Sequence, residues 1–289
     1  MTTVRKIIVD SRYFIEGTAG KGAFELSEIV DIHPTQVIYL ESFQCVNSWY
    51  TIDDTNRNIY LIEFYTDNNK PKYAGRITQI KPGPYDSDSL ATAIQDALNA
   101  NRTVTGSYAV TRSTSNVTSA SAVGSAAFRF YTVALTGGGQ FSLPDLAHLS
   151  DPAYQQEWLA LPGAAYDINS IRSSNDIVEF GGTREISTTK TSGYVDLRAK
   201  HSICLHSTTI GNMSSMGPMG IRTLIGLFPV TQPYGGMTVY QGSGNVHDFI
   251  EPATRSIKRM TFEVRSFRND IIDFQGGHWT AVFVIGTRP

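Results

Sequence analysis

Histidine and cysteine are the residue types best suited to hold a metal, and they lie close together in this chain at His201, Cys204 and His206. The segment around them reads as a buried strand. Because side chains alternate across a strand, Cys204 and His206 share one face and His201 points to the other. The three ligands therefore converge only if the strand bulges, and a tetrahedral zinc site would still lack a fourth ligand. We interpret them as strand residues and expect no metal and no cofactor.

A nucleophilic serine needs a base and an orienting acid, and the sequence marks no such set. There is no Gly-x-Ser-x-Gly elbow, and Ser243 has His247 nearby but no evident acid. The acid pairs Asp53-Asp54 and Asp86/Asp88 lie in turn and helix-cap contexts, which favours structural roles. We predict no catalytic residues and no enzyme. A hydrolase whose carboxylates meet only in space is the third hypothesis.

Glycines at 17, 20 and 22 give residues 17–22 the composition of a phosphate-binding loop. Such a loop precedes a helix, whereas residues 23–26 alternate like a strand, so we predict a turn. Five aromatic residues offer a surface for sugar or protein, although core or subunit-contact positions are the favoured interpretation. They are Trp49, Tyr50, Tyr85, Trp158 and Tyr240.

The elements that position these residues are mostly short strands. Turn signals recur every 8 to 12 residues, and no βαβ rhythm is present, which indicates a jelly roll or sandwich. Near the C-terminus, Met260, Phe262 and Val264 form the predicted buried face of one strand, while Ile257 and Arg259 fall on its solvent-exposed face. The last strand, from Trp279, is apolar on both faces and is expected inside a sheet.

One amphipathic helix is predicted at about 86–99. Asp86, Ser87 and Asp88 offer helix caps, and an apolar stripe follows. The stripe consists of Leu90, Ala91, Ile94, Ala97 and Leu98.

Composition limits the function classes. Charged residues make up 17% of the 289 residues, against about a quarter in an average protein, and the net charge is −2. That balance argues against coating a genome, and no sequence-specific nucleic-acid binding is expected. No apolar run reaches the roughly 18 to 20 residues of a membrane span, and no signal peptide is evident. Cys45 and Cys204 leave one disulfide open as an alternative to free thiols.

Motifs at both ends of the chain carry a family resemblance. Near the N-terminus lies Ser11-Arg12-Tyr13 with Gly17, and the helix after Pro82 belongs to the same pattern. The C-terminal motif consists of Asn269, Ile271, Ile272, Asp273, Phe274, Gly276, His278, Trp279, Phe283 and Ile285. Together they resemble the penton and single-jelly-roll minor capsid proteins of virophages, Polinton-like elements and giant DNA viruses. The first and last thirds of the chain match well, and the middle matches loosely.

The resemblance implies an all-β fold, a jelly-roll β-sandwich with one capping helix (about 86–99) and elaborated loops. It implies a single capsid domain over 1–289, for which we expect a small insertion at about 145–195. The implied function is a penton protein of the virion, a homopentameric ring at five-fold vertices that contacts major and other minor capsid proteins. The loops at 213–219 and 233–237 are the predicted contacts. The alternative is a receptor- or carbohydrate-binding jelly-roll module of the spike or lectin type.

Overall fold

Antiparallel strands dominate the computed structural model of this chain. It describes residues 5–113, 130–144, 148, 150–161, 173–174, 177–178, 180, 185–193, 195–197, 200–211, 223–242, 249–252 and 254–287. The strands are β1 Arg5–Asp10, β2 Glu16–Gly17, β3 Lys21–Asp31, β4 Gln36–Val46, β5 Asn58–Asp67, β6 Lys70–Gln79, β7 Ser107–Ser113, β8 Phe130–Thr136, β9 Gln140–Ser142, β10 Thr189–Thr191, β11 Ser202–His206, β12 Leu224–Pro229, β13 Met237–Gln241, β14 Phe249–Ile250, β15 Ser256–Ser266 and β16 Trp279–Thr287. The helices are α1 Ser87–Asn99 and α2 Pro152–Leu159.

The chain divides into two compact units. The first, called the jelly-roll unit below, comprises Met1–Trp49 and Lys200–Pro289. The second unit, Tyr50–Ala199, is one continuous segment that enters between β4 and β11. Each unit has its own hydrophobic core. The single capsid domain over 1–289, with its insertion at about 145–195, stays a prediction.

The strand order of the first unit is that of a jelly roll. Its eight main strands, in chain order, are β1, β3, β4, β11, β12, β13, β15 and β16. Sheet 1 has the order β1-β16-β4-β13, with β14 also on β4. Sheet 2 has the order β12-β11-β15-β3-β2. Counted along the chain, the main strands lie in the orders 1-8-3-6 and 5-4-7-2, which wrap two Greek keys around one core. The predicted all-β jelly-roll fold is confirmed.

The two C-terminal strands lie in different sheets. β15 pairs with β3 and β11 in sheet 2, whereas β16 pairs with β1 and β4 in sheet 1. The predicted interior position of β16 is therefore confirmed. Ile257 departs from the prediction, because it is buried rather than solvent-exposed. The pairing register shifts between Ile257 and Arg259, and this irregularity places Ile257 on the buried face of β15.

Helix α1 forms where the sequence predicts it. The Asp86 side chain accepts hydrogen bonds from the backbone N–H groups of Asp88 and Ser89, and the Ser89 hydroxyl accepts from the Asp86 N–H. This reciprocal capping box satisfies donors that the first turn leaves open. The predicted apolar stripe is the buried face of α1 and belongs to the core of the second unit.

The second unit also buries an ion pair at the C-terminal end of α1. Glu63 is fully buried, and its carboxylate accepts hydrogen bonds from Tyr108 Oη and Thr103 N, both at 2.8 Å. Arg76 Nη2 lies 3.1 Å from the same carboxylate and 2.6 Å from the carbonyl oxygen of Leu98. Burial lowers the pKa of Arg76 and raises the pKa of Tyr108. The pair thus fixes the helix end to the β5–β6 hairpin, since Arg76 donates to helix carbonyls that have no partner within the helix.

The substitution Glu63→Gln tests this pair. We expect the free energy of unfolding to fall by about 3 to 5 kcal/mol, because Arg76 stays buried without its counter-charge. Asp67→Asn is the matched control, since Asp67 pairs with Lys72 across the same hairpin but in solvent. Urea denaturation should show a far smaller change for that control. Equal losses for both variants would contradict the assigned role of Glu63.

Candidate subunit-contact surface

The motifs at the two ends of the chain meet around Trp279 in the jelly-roll core. The indole Nε1 donates a hydrogen bond to Ala19 O at 2.6 Å, and the backbone N–H of Trp279 donates to Ser11 Oγ at 3.0 Å. The indole ring packs edge-on against Phe14 and Phe262, with ring centroids 5.6 and 5.5 Å apart. The N-terminal motif is therefore tied to the first residue of β16.

Other residues of the C-terminal motif are also structural. Ile272 and Phe274 are buried, and the Phe274 ring meets Trp49 edge-on at 5.9 Å. Ser48 Oγ donates to Phe274 O at 2.5 Å. Gly276 has φ +82°, a backbone conformation that glycine adopts without strain. The motif thus secures the crossing from sheet 2 to sheet 1, and its buried residues are packing residues rather than a binding site.

The candidate metal ligands lie at separate depths. His201 is exposed, whereas Cys204 and His206 are buried. Within the described ranges, no group of three or more His, Cys, Asp or Glu residues could hold a metal ion. Cys45 and Cys204 are both free thiols, and burial raises the pKa of Cys45 to about 12.

His206 lies beside a charged cluster on β15. It stands opposite Glu263, whose carboxylate accepts from Lys21 Nζ and Arg265 Nε, both at 2.8 Å. The Nδ1 atom of His206 lies 3.2 Å from Thr223 Oγ1. Burial lowers the pKa of His206, the charge of Arg265 lowers it further, and Glu263 opposes both effects. Burial by itself would raise the pKa of Glu263, but hydrogen bonds from Lys21 and Arg265 outweigh it and the pKa is lowered.

The predicted aromatic surface is partly core. Trp49 is buried in the jelly-roll core, and Trp158 is buried against Tyr60 in the second unit. Tyr240 is half-buried and packs against Phe228, with ring centroids 5.1 Å apart. The favoured interpretation as core residues is confirmed for both tryptophans.

One segment of the jelly-roll unit contains no charged residue. Residues 223–246 form the longest stretch of the sequence that lacks Asp, Glu, Lys, Arg and His. The described part, residues 223–242, is called the uncharged edge below. It contains β12, the last strand of sheet 2, and β13, the last strand of sheet 1, with the connecting turn. Four large apolar side chains on it are exposed: Leu227, Tyr234, Met237 and Val239.

The opposite ends of the two sheets carry ion pairs instead. On β1, Lys6 pairs with Glu41 at 2.6 Å, and on β2, Glu16 pairs with Arg259. Charged side chains on a terminal strand hinder its pairing with other chains, because such pairing removes the charges from water. The uncharged edge lacks that protection. Its exposed apolar side chains, together with the lack of charge, make it a candidate contact surface of the jelly-roll unit.

Of the two loops that were predicted as contacts, the structure describes one. The loop at 233–237 lies in the uncharged edge, with Tyr234 and Met237 about half exposed. The loop at 213–219 lies outside the described residues. Sequence reasoning missed the flanking strands as part of the surface, although the run without charge at 223–246 was visible. None of the described helices is long and apolar enough to cross a membrane.

Comparison with known proteins supports a class of fold. No family model matches the sequence, and no curated protein matches it. The fold, however, is similar to that of a jelly-roll protein of known structure. It matches the crystal structure of the selenomethionine-labelled mavirus penton protein with a TM-score of 0.50, over 99% of this chain and 99% of that one. The two sequences are 7% identical, so the likeness is one of fold.

The buried position of His206 predicts a dependence of stability on pH. The unfolded chain binds a proton at His206 near pH 6.5, whereas the folded chain resists protonation until a lower pH. Stability is therefore present above pH 6.5 and is lost as the pH falls through the lowered folded pKa. We expect the free energy of unfolding of the His206→Gln variant to fall less between about pH 7.5 and about pH 5 than that of the unmodified protein.

His201→Gln is the control for this prediction, because it removes an exposed histidine next to the same strand. Chemical denaturation at a series of pH values measures both slopes. If His206→Gln and the unmodified protein lost stability in parallel, the assignment to His206 would be wrong.

Proposed function

We propose that this chain is a structural virion protein, a penton protein that forms a ring at icosahedral five-fold vertices. The observation that carries the proposal is the fold likeness over nearly the full length of both chains. The Trp279 cluster adds support, because the motif residues that suggest the penton and minor capsid family pack together in it. We place the protein in that family and in the capsid.

Assembly is the mechanism that this function requires. Copies in a ring meet head to tail, so each copy presents two different surfaces. A stable contact buries about 800 Å² on each partner. The uncharged edge supplies one such surface, because its apolar side chains are already exposed in the single chain. Major capsid protein and other minor capsid proteins would contact the outer rim of the ring.

A receptor- or carbohydrate-binding role of the spike or lectin type is the second candidate. One observation favours it, an apolar pocket of about 170 Å³ in the second unit. Aromatic side chains and one carboxylate line this pocket, among them Phe64, Tyr73, Tyr154, Glu157 and Trp158. Aromatic walls with few polar groups are typical of ligand sites. A glycan array separates this candidate from the first.

Light scattering of the purified protein over a range of concentration and pH tests the ring. We expect a species of five copies. Val239→Asp should shift it towards single copies, because assembly would bury an unpaired carboxylate. Ile186→Asp, at an exposed apolar residue of the second unit, is the control and should assemble normally.

Other masses have distinct meanings. A trimer would contradict the five-fold ring and would indicate a minor capsid or spike role. Single copies under all conditions, together with glycan binding, would favour the second candidate.

A further inference from the structure

Sheet 1 ends in a terminal strand on each side, β1 and β13. Within the described residues, neither strand pairs with another strand on its outer side. The backbone N–H and C=O groups on that side are left for water or for another chain. Strand β13 contains neither a charged residue nor proline, the two features that most often prevent such pairing.

The directions of these two strands are compatible with each other. Strand β1 runs antiparallel to β16, β16 runs antiparallel to β4, and β4 runs antiparallel to β13. Three reversals leave β1 and β13 pointing in opposite directions. A second copy placed beside the first without being turned over therefore presents its β1 antiparallel to β13.

The faces of the two strands are also in phase. Ile7 and Val9 of β1 belong to the core, so Ile8 lies on the outer face and is 63% exposed. Thr238 of β13 is buried, so Val239 lies on the outer face and is 56% exposed. Setting Ile8 opposite Val239 keeps both on the outer face and gives each the neighbour that a terminal strand lacks.

Charge on β1 hinders this contact less than it would hinder the pairing of two β1 strands. The two cations of β1 already have partners in their own chain, since Lys6 pairs with Glu41 at 2.6 Å and Arg5 lies 4.0 Å from Glu28. Strand β13 has no charge of its own. Pairing β1 with β13 therefore brings no like charges together.

We propose that copies of this chain join edge to edge, with β1 of one copy adding antiparallel to β13 of the next copy. Sheet 1 then continues from copy to copy, and backbone hydrogen bonds form the contact in addition to apolar side chains. The contact is heterologous, so in a closed ring every β1 and every β13 is paired with a neighbouring copy. This inference rests on the proposed function for the closure of the ring.

Disulfide trapping tests the pairing directly. The variants Ile8→Cys and Val239→Cys are purified separately, mixed and oxidised gently. Directly opposite residues of antiparallel strands lie within reach of a disulfide. We expect covalent dimers in the mixture, with little background from Cys45 and Cys204 because both are buried. The double variant should give a ladder whose largest member counts the copies in the ring.

Leu227→Cys is the matched control, at an exposed position on β12 of the other sheet. Mixed with Ile8→Cys, it should give no dimer. Dimers from Val239→Cys alone would overturn the proposal, because two β13 strands would then meet across a two-fold axis.

Light scattering of the same samples under reducing conditions separates the two proposals. Five-copy rings without the Ile8–Val239 disulfide would overturn the edge pairing and leave the proposed function standing. Single copies throughout, with no disulfide, would count against both.

Discussion

The burial of one indole ring, that of Trp279, is the contact on which the jelly-roll unit depends. Phe14 from the N-terminal loop, Phe43 from sheet 1 and Phe262 from sheet 2 each pack within 6 Å of it, centroid to centroid. Both of its N–H groups donate to residues near the start of the chain. Because aromatic side chains bury large apolar areas, this cluster joins the two sheets and both chain ends in one place.

The second unit is fixed by a different kind of interaction. Its buried carboxylate at Glu63 has one cation and three further donors, so the cost of removing the charge from water is offset. The directional hydrogen bonds of Arg76 define the position of the end of α1 relative to the hairpin. Apolar packing alone would define this position less specifically. One unit thus relies on aromatic packing, and the other adds a hydrogen-bonded polar network to its apolar core.

Local patterns in the sequence predicted local structure well. The cap and apolar stripe defined α1, and the two apolar faces of β16 placed it inside a sheet, because periodicity reports burial. Periodicity does not report partners, so it gave no sign that β15 and β16 lie in opposite sheets. It also assumes a regular strand, which explains the error at Ile257.

Glu63 was not predicted, since a glutamate within a strand is usually interpreted as a solvent-exposed position. Only the loop at 233–237 of the uncharged edge was predicted. The flanking strands were missed, because they are marked only by a lack of charge and because their terminal position in the sheets depends on the fold.

The route of the chain has a consequence for biosynthesis. Sheet 1 places β16 between β1 and β4, so this sheet stays incomplete until residues 279–287 have been made. The second unit is continuous, and its strands and helices all precede residue 200, so its core can form while the ribosome is still translating the rest. Strands β1, β3 and β4 must meanwhile wait, with their apolar faces unpaired. Such distant pairings fold slowly, and the nascent chain is open to aggregation or chaperone binding during that interval.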